Sequence, residues 1–244
     1  MEHSERIALV TGAGRRLGRA IASSLAAAGL RVAAHYHESE SGVAAFLAEH
    51  GSAHMGLRAN LADPTEAAAL PGQVVERLGR LDVLINSAAV MLRQPVGSVT
   101  AADWGQVFDL NLRAPFLVIQ AAAPALRATR GCVINIADVS GLDPWPSYLP
   151  HSASKAGLLT LTRGFAQALA PEVRVNAIVP GAVLPPDDAS DEARRRAANR
   201  ALLGRTGDPQ DVVAAVRFLI DNEFVTGSTM VIDGGALARA RADG

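Results

Sequence analysis

The chain has 244 residues and a mass of 25.3 kDa, enough for a substantial core, and its 49% apolar against 19% charged residues exclude a disordered chain. A formal charge of -1 and a pI near 6.6 give no general pull toward nucleic acid or an anionic membrane. Aromatic residues are only 4%, so the interior must be built from aliphatic side chains and alanine, as in an α/β protein.

Along the chain, short β-branched or aliphatic runs alternate with alanine-rich stretches of helical length. Strands are predicted at 7–11, 31–36, 53–59, 81–86, 131–137, 174–179 and 229–232. Helices are predicted between them at 16–29, 40–50, 64–79, 103–129, 152–170, 190–203 and 209–221. Asp63-Pro64 and Asp208-Pro209 each read as an acidic N-cap followed by proline at the first helical position, and Gly29 and Gly79 suit helix ends. Repeated β-α alternation requires crossover connections, so the expected fold is one doubly wound domain over 1–244, with a seven-stranded parallel sheet covered by helices on both faces. A loose segment near 182–203, opening AVLPPDDAS, is expected to cover a substrate.

The single cysteine, Cys132, allows no internal disulfide, and His3, His50 and His54 have no ligand spacing, so no metal site is expected. No signal-peptide-like run opens the sequence and no stretch reaches the ~18 apolar residues of a membrane span, which points to a soluble, cytoplasmic protein. Lysine and arginine total 23, yet Lys155 is the only lysine.

After the first strand, Thr11-Gly12-Ala13-Gly14-Arg15-Arg16-Leu17-Gly18 opens a helix. Such a strand, glycine-rich turn and helix suits a pyrophosphate, because free N–H groups and the helix dipole attract an anion there. Further along come Asn86-Ser87-Ala88-Ala89, Asn111 in a helix, Lys155, Pro180-Gly181 and Asp233-Gly234-Gly235. In this order the segments resemble the short-chain dehydrogenase/reductase family over roughly residues 6–235. The resemblance implies a Rossmann fold and a nicotinamide cofactor held by Gly12, Arg15, Arg16, Leu17, Gly18, His37, Ser39, Asn60, Leu61, Asn86, Ala88, Lys155, Pro180, Gly181 and Val183. It also implies a homo-oligomer, dimer or tetramer, formed through the helices at 103–129 and 152–170.

Arg16 stands where the family commonly has its middle glycine, and His35-Tyr36-His37 stands where many NAD-dependent relatives carry an aspartate. Both features resemble the pteridine-reductase subgroup. In that resemblance Arg15, Arg16, His37 and Ser39 surround a 2'-phosphate and favour NADP(H) over NAD(H), with Glu38 opposing.

The resemblance places the proton-handling set at Asn111, Asp138, His151 and Lys155. Asp138 takes the family's serine position, as in pteridine reductases, and His151 takes the tyrosine position. Three readings of His151 stand open: a proton donor stabilised by Asp138, a substrate-binding group beside a water relay through Asn111 and Lys155, or a remnant in a cleft that no longer turns over. Asp138 also suits a cap on the turn at Ser140-Gly141, and Asn111 a polar group satisfied by backbone near the kink at Pro115. Tyr148, preceding Pro150, is expected to pack or line the pocket, as is Trp145. The implied activity is NADPH-dependent hydride transfer to a C=N or C=O group of a small, pteridine-like substrate, the alternatives being a 3-oxoacyl or ketone substrate, or a nucleotide-binding protein without turnover.

Overall fold

Every strand of the sheet runs parallel, in the order β3-β2-β1-β4-β5-β6-β7. The structure, a computed structural model, describes residues 6–184 and 189–239. The strands are β1 Ile7–Val10, β2 Arg31–Tyr36, β3 Met55–Arg58, β4 Val83–Asn86, β5 Cys132–Ile136, β6 Arg174–Pro180 and β7 Thr229–Ile232. The helices are α1 Arg16–Ala27, α2 Glu40–His50, α3 Pro64–Leu78, α4 Ala101–Phe108, α5 Ala114–Thr129, α6 Leu149–Leu169, α7 Asp191–Arg200 and α8 Pro209–Asp221.

The chain order reverses direction across the sheet between β1 and β4, which pair through Ala8 with Val83 and Val10 with Ile85. A crevice opens at such a switch point, beyond the carboxyl ends of the strands. Sheet burial on both faces explains the unbroken apolar strands. In β1, Ala8 and Val10 pack with Ile21 of α1, Val43 of α2 and Val212 of α8. Ile7 and Leu9 face the other way, against Ala67 of α3, Val118 of α5 and Ala166 of α6. Phe46 is the one aromatic among the largest fully buried side chains, consistent with the aliphatic composition.

Helix ends follow the local chemistry. The Asp63 carboxylate accepts from the N–H groups of Thr65 and Glu66, and Asp208 with Asp211 forms a capping box. Gly79 ends α3 in the left-handed region at φ 88°.

The single helix expected at 103–129 is divided: α4 leads into a π-helical turn, Asp109–Arg113, before α5 begins. Pro115 has no N–H for the carbonyl of Asn111, so the ladder shifts register, with the N–H of Ala114 donating to the carbonyl of Asp109. The helix expected at 152–170 starts earlier, at Leu149, because Pro150 is favoured in a first helical turn. Of the segment expected near 182–203, Pro185, Pro186, Asp187 and Asp188 lie outside the described residues.

Candidate active site

The glycine turn after β1 is held from behind. Buried His35, near the carboxyl end of β2, accepts the N–H of Gly12 on Nδ1 at 3.1 Å, which leaves its Nε2–H to donate to the carbonyl of Ala59 at 3.0 Å. Burial pushes the His35 imidazole down to about 4, so it is a neutral acceptor. The hydroxyl of Thr11 accepts from the N–H groups of Ser87 and Ala88 and donates to the carbonyl of Ile85, tying the turn to the end of β4. Contact requires glycine at Gly18 and Gly42. A Cβ on Gly18 would lie 2.2 Å from the carbonyl oxygen of Gly12, and one on Gly42 would lie 1.8 Å from that of Gly14. The second brings α2 against the loop, a contact that the sequence alone does not announce.

These supports leave a cleft of about 570 Å³ lined by Gly12, Arg15, Arg16, Leu17, Gly18, His37, Glu38, Ser39, Asn60, Leu61, Ala88, Asp138, His151 and Lys155. Helix α1 opens onto it with no side-chain cap and no acid in its first turn, so its N-terminal N–H groups suit the pyrophosphate of a dinucleotide. The residues present therefore fit the implied nicotinamide cofactor. Arg16 departs from the expectation. Its guanidinium donates to the carbonyl of Leu184 at 2.5 Å, so it bridges the cofactor end to the neighbouring cleft, which it also lines.

Four expected contacts are placed differently. Buried Asn86 does not line the cleft; its amide donates to Asn135 Oδ1, and Asn135 donates in turn to the hydroxyl of Thr162, so it joins β4 and β5 to α6. Gly181 and Val183 line a second cleft of about 1880 Å³, and Pro180 lines neither, because it is the buried last residue of β6, paired with Ile232. The second cleft shares Arg16 and Asp138 with the first and is walled by apolar Met91, Trp145, Leu202 and Leu237 beside Arg200 and Arg239.

The chemical end is built on the first turns of α6. Lys155 is 4% exposed, and its ammonium donates to the carbonyl of Ile136 at 2.8 Å. Burial lowers it to about 8, with the Asp138 carboxylate acting in the opposite sense. His151, also 4% exposed, lies one turn earlier. Its imidazole is held below the ordinary range by burial first and by Lys155 second, while Asp138 and the Val90 carbonyl pull it up. Asp138 caps the turn after β5, accepting the N–H of Ser140 at 2.7 Å.

Asn111, carried inward by the π turn, is 1% exposed. Its Oδ1 accepts the N–H of Val90 at 2.8 Å, and its amide donates to the Val90 carbonyl at 2.9 Å and to the hydroxyl of Ser154 at 3.1 Å. Backbone and a neighbouring hydroxyl thus satisfy it, and its amide lies beside His151. Ser154, to which the sequence reading gave no role, completes this set by donating to the carbonyl of His151. Tyr148 ends a 3-10 turn, Pro146–Tyr148, outside α6, with its ring edge-on to Trp145 at 5.8 Å.

A dinucleotide-type cleft at the switch point, with a buried lysine and an ionisable side chain one turn before it, is the arrangement on which comparison with known proteins bears. Residues 12–236 match the family model described as enoyl-(acyl carrier protein) reductase. The chain belongs to the short-chain dehydrogenase/reductase family. This short-chain dehydrogenase/reductase is similar to 3-oxoacyl-[acyl-carrier-protein] reductase FabG of Staphylococcus aureus, at 35% identity over 93% of this chain and 96% of the relative. It is similar also to trans-4-hydroxycyclohexanecarboxylate dehydrogenase of Sinomonas cyclohexanicum, at 33% identity over 96% and 94%. Among solved structures, a dehydrogenase/reductase from Sinorhizobium meliloti superposes with a TM-score of 0.88 at 36% identity, over 95% of this chain and 94% of that one. The first two relatives are named for an oxo and a hydroxy compound. The pteridine-like substrate expected from Arg16 and Asp138 has no support from them, whereas the 3-oxoacyl alternative does.

Proposed function

We propose that this short-chain dehydrogenase/reductase interconverts a carbonyl and the corresponding hydroxyl group of a small molecule, of 3-oxoacyl or cyclic-ketone type, with a nicotinamide cofactor. The observation that carries the reading is the seating of Lys155 and His151 in one cleft with the glycine turn. The bound nicotinamide supplies or takes up the hydride. Lys155 presents a compact ammonium to the ribose, His151 handles the proton, and Asn111 fixes the 87–90 loop and the His151 side of the cleft through Val90. Asp138 lies on the wall common to both clefts, where it orients the substrate and moderates the charge of Lys155.

Arg15, His37 and Ser39 support NADP(H) over NAD(H), since two potential cations and an uncapped serine hydroxyl lie beside Glu38 at one end of the cleft. The second cleft, with its apolar wall and arginine rim, suits a carboxylate- or phosphate-bearing acyl substrate. A homo-oligomer through α5 and α6 would cover Phe116, which is 38% exposed and packs on Phe165.

Fluorescence titration with NADPH and NADH, followed by turnover with 3-oxoacyl thioesters, cyclic ketones, their alcohols and dihydropterins, tests the reading. Tighter NADPH binding and turnover of the oxo and hydroxy compounds are expected, with loss in His151→Phe. Cofactor binding without turnover, and activity gained only in His151→Tyr, would overturn the enzymatic reading.

A further inference from the structure

The hydrogen bonds around His151 point to one assignment for its ring protons. Asn111 Oδ1 is fixed as the acceptor by the N–H of Val90, so its two amide hydrogens are the donors, and they go to the Val90 carbonyl and the Ser154 hydroxyl. Ser154 spends its own hydrogen on the carbonyl of His151 at 2.7 Å. His151 Nδ1 lies 3.3 Å from the Asn111 amide, the longest of that amide's three contacts, so the two hydrogens go to the nearer oxygens. Nδ1 sits 3.1 Å from the Val90 carbonyl, which only accepts, so Nδ1 carries the hydrogen and donates it there. Nε2 is buried without a protein partner, and in the neutral ring it holds a lone pair.

The tyrosine usual at this position has one hydroxyl that gives or receives a hydrogen bond. A neutral imidazole with Nδ1 committed to Val90 offers the substrate an acceptor only. A ketone oxygen, itself an acceptor, finds no donor at Nε2, whereas a hydroxyl group finds there an acceptor for its hydrogen.

Resting on the reading that this cleft holds a nicotinamide cofactor, we propose that His151 is the catalytic base of an alcohol dehydrogenase, its Nε2 taking the proton of a secondary hydroxyl group. The O–H bond breaks toward Nε2, the carbinol hydrogen would depart with the C–H electron pair as hydride, for which the oxidised nicotinamide would be the acceptor, and a C=O bond forms. The products are a ketone, the reduced cofactor and an imidazolium that returns its proton to water. The charged groups facing the ring agree with this direction. Lys155, on α6 itself, disfavours a second cation, Asp138 at the end of β5 opposes it more weakly, and the 87–90 loop and the π turn present backbone and the neutral Asn111 amide. Burial and the Lys155 charge thus favour the neutral, proton-accepting ring.

Long-range proton–nitrogen NMR on histidine-labelled protein without cofactor, at pH 7.5, reads the tautomer directly, with the His151 signals assigned by their absence in His151→Gln. A neutral ring with hydrogen on Nδ1 is expected. A hydrogen on Nε2, or an imidazolium, overturns the proposal. In kinetics, oxidation of secondary alcohols should exceed reduction of the matching ketones at pH 7.5, and its kcat/KM should fall about tenfold per pH unit below the imidazole pKa. His151→Tyr should move the balance toward reduction. Wild-type reduction faster than oxidation, with both nicotinamide forms bound, overturns this proposal alone. A protein that binds neither form overturns the underlying reading as well.

Discussion

His35 shows how one side chain links stability to the cofactor cleft. In the unfolded chain its imidazole titrates near 6.5, and in the fold it is held down to about 4. The unfolded chain therefore binds more protons between those values. The stabilising contribution is complete above pH 6.5 and is lost as pH falls toward 4, a swing of about 3 kcal/mol. Thermal melts of wild type and His35→Gln across that range test this. The gap between them is expected to narrow as the pH drops, and a constant gap would falsify the titration. His35→Phe, which leaves the Gly12 N–H without its acceptor, should cost about 1–3 kcal/mol and loosen NADPH binding in the same titration. The signal for this role was a histidine inside an otherwise apolar strand, but its two partners, Gly12 and Ala59, lie just beyond the ends of β1 and β3 and cannot be read from spacing. For Asn86 the opposite holds. Its position at the end of a strand was legible, yet which face of the sheet it served depended on Asn135 and Thr162, far away in sequence.

Among the elements, the junction of α2 with the glycine turn carries a clear prediction. Gly42→Ala places a methyl group where the Gly14 carbonyl now sits, at 1.8 Å, so either α2 or the turn must move. The expected result is a loss of about 1–3 kcal/mol in denaturant unfolding, as for overpacking, with at least tenfold weaker cofactor binding. Unchanged binding would show that α2 yields and the turn does not. The division of the helix at 103–129 is instructive in the same way. Apolar periodicity runs through the break, so the helical stretch was legible, while the π turn is a local answer to Pro115 that brings Asn111 to Val90. Where the sequence supplied capping chemistry, as at Asp63 and Asp208, helix starts agree closely with the expectation. At Leu149, where no side chain caps the helix, the start shifts by a few residues, and at Ala101 the Thr100–Asp103 capping box sets a start two residues before the expected one.

For the whole molecule, alternation of strand and helix was enough to anticipate the doubly wound sheet, because a parallel sheet buried on both faces leaves few alternatives. The clefts were legible in outline only. Gly181 and Val183 belong to the right end of the sheet but to the other side of the wall formed by Asp138, since the loops beyond the strands, not the strands themselves, set that boundary. The lone lysine has a consequence of its own. With Lys155 held to about 8, roughly a tenth of its amine is unprotonated at pH 7, and apart from the chain's terminal amine no other amine competes for an acylating reagent. A small amine-directed probe should therefore act as a tag for this one cleft. Mass spectrometry should find it on Lys155, slowed about tenfold or more by saturating cofactor, as expected when ligand at many times its Kd leaves little free protein.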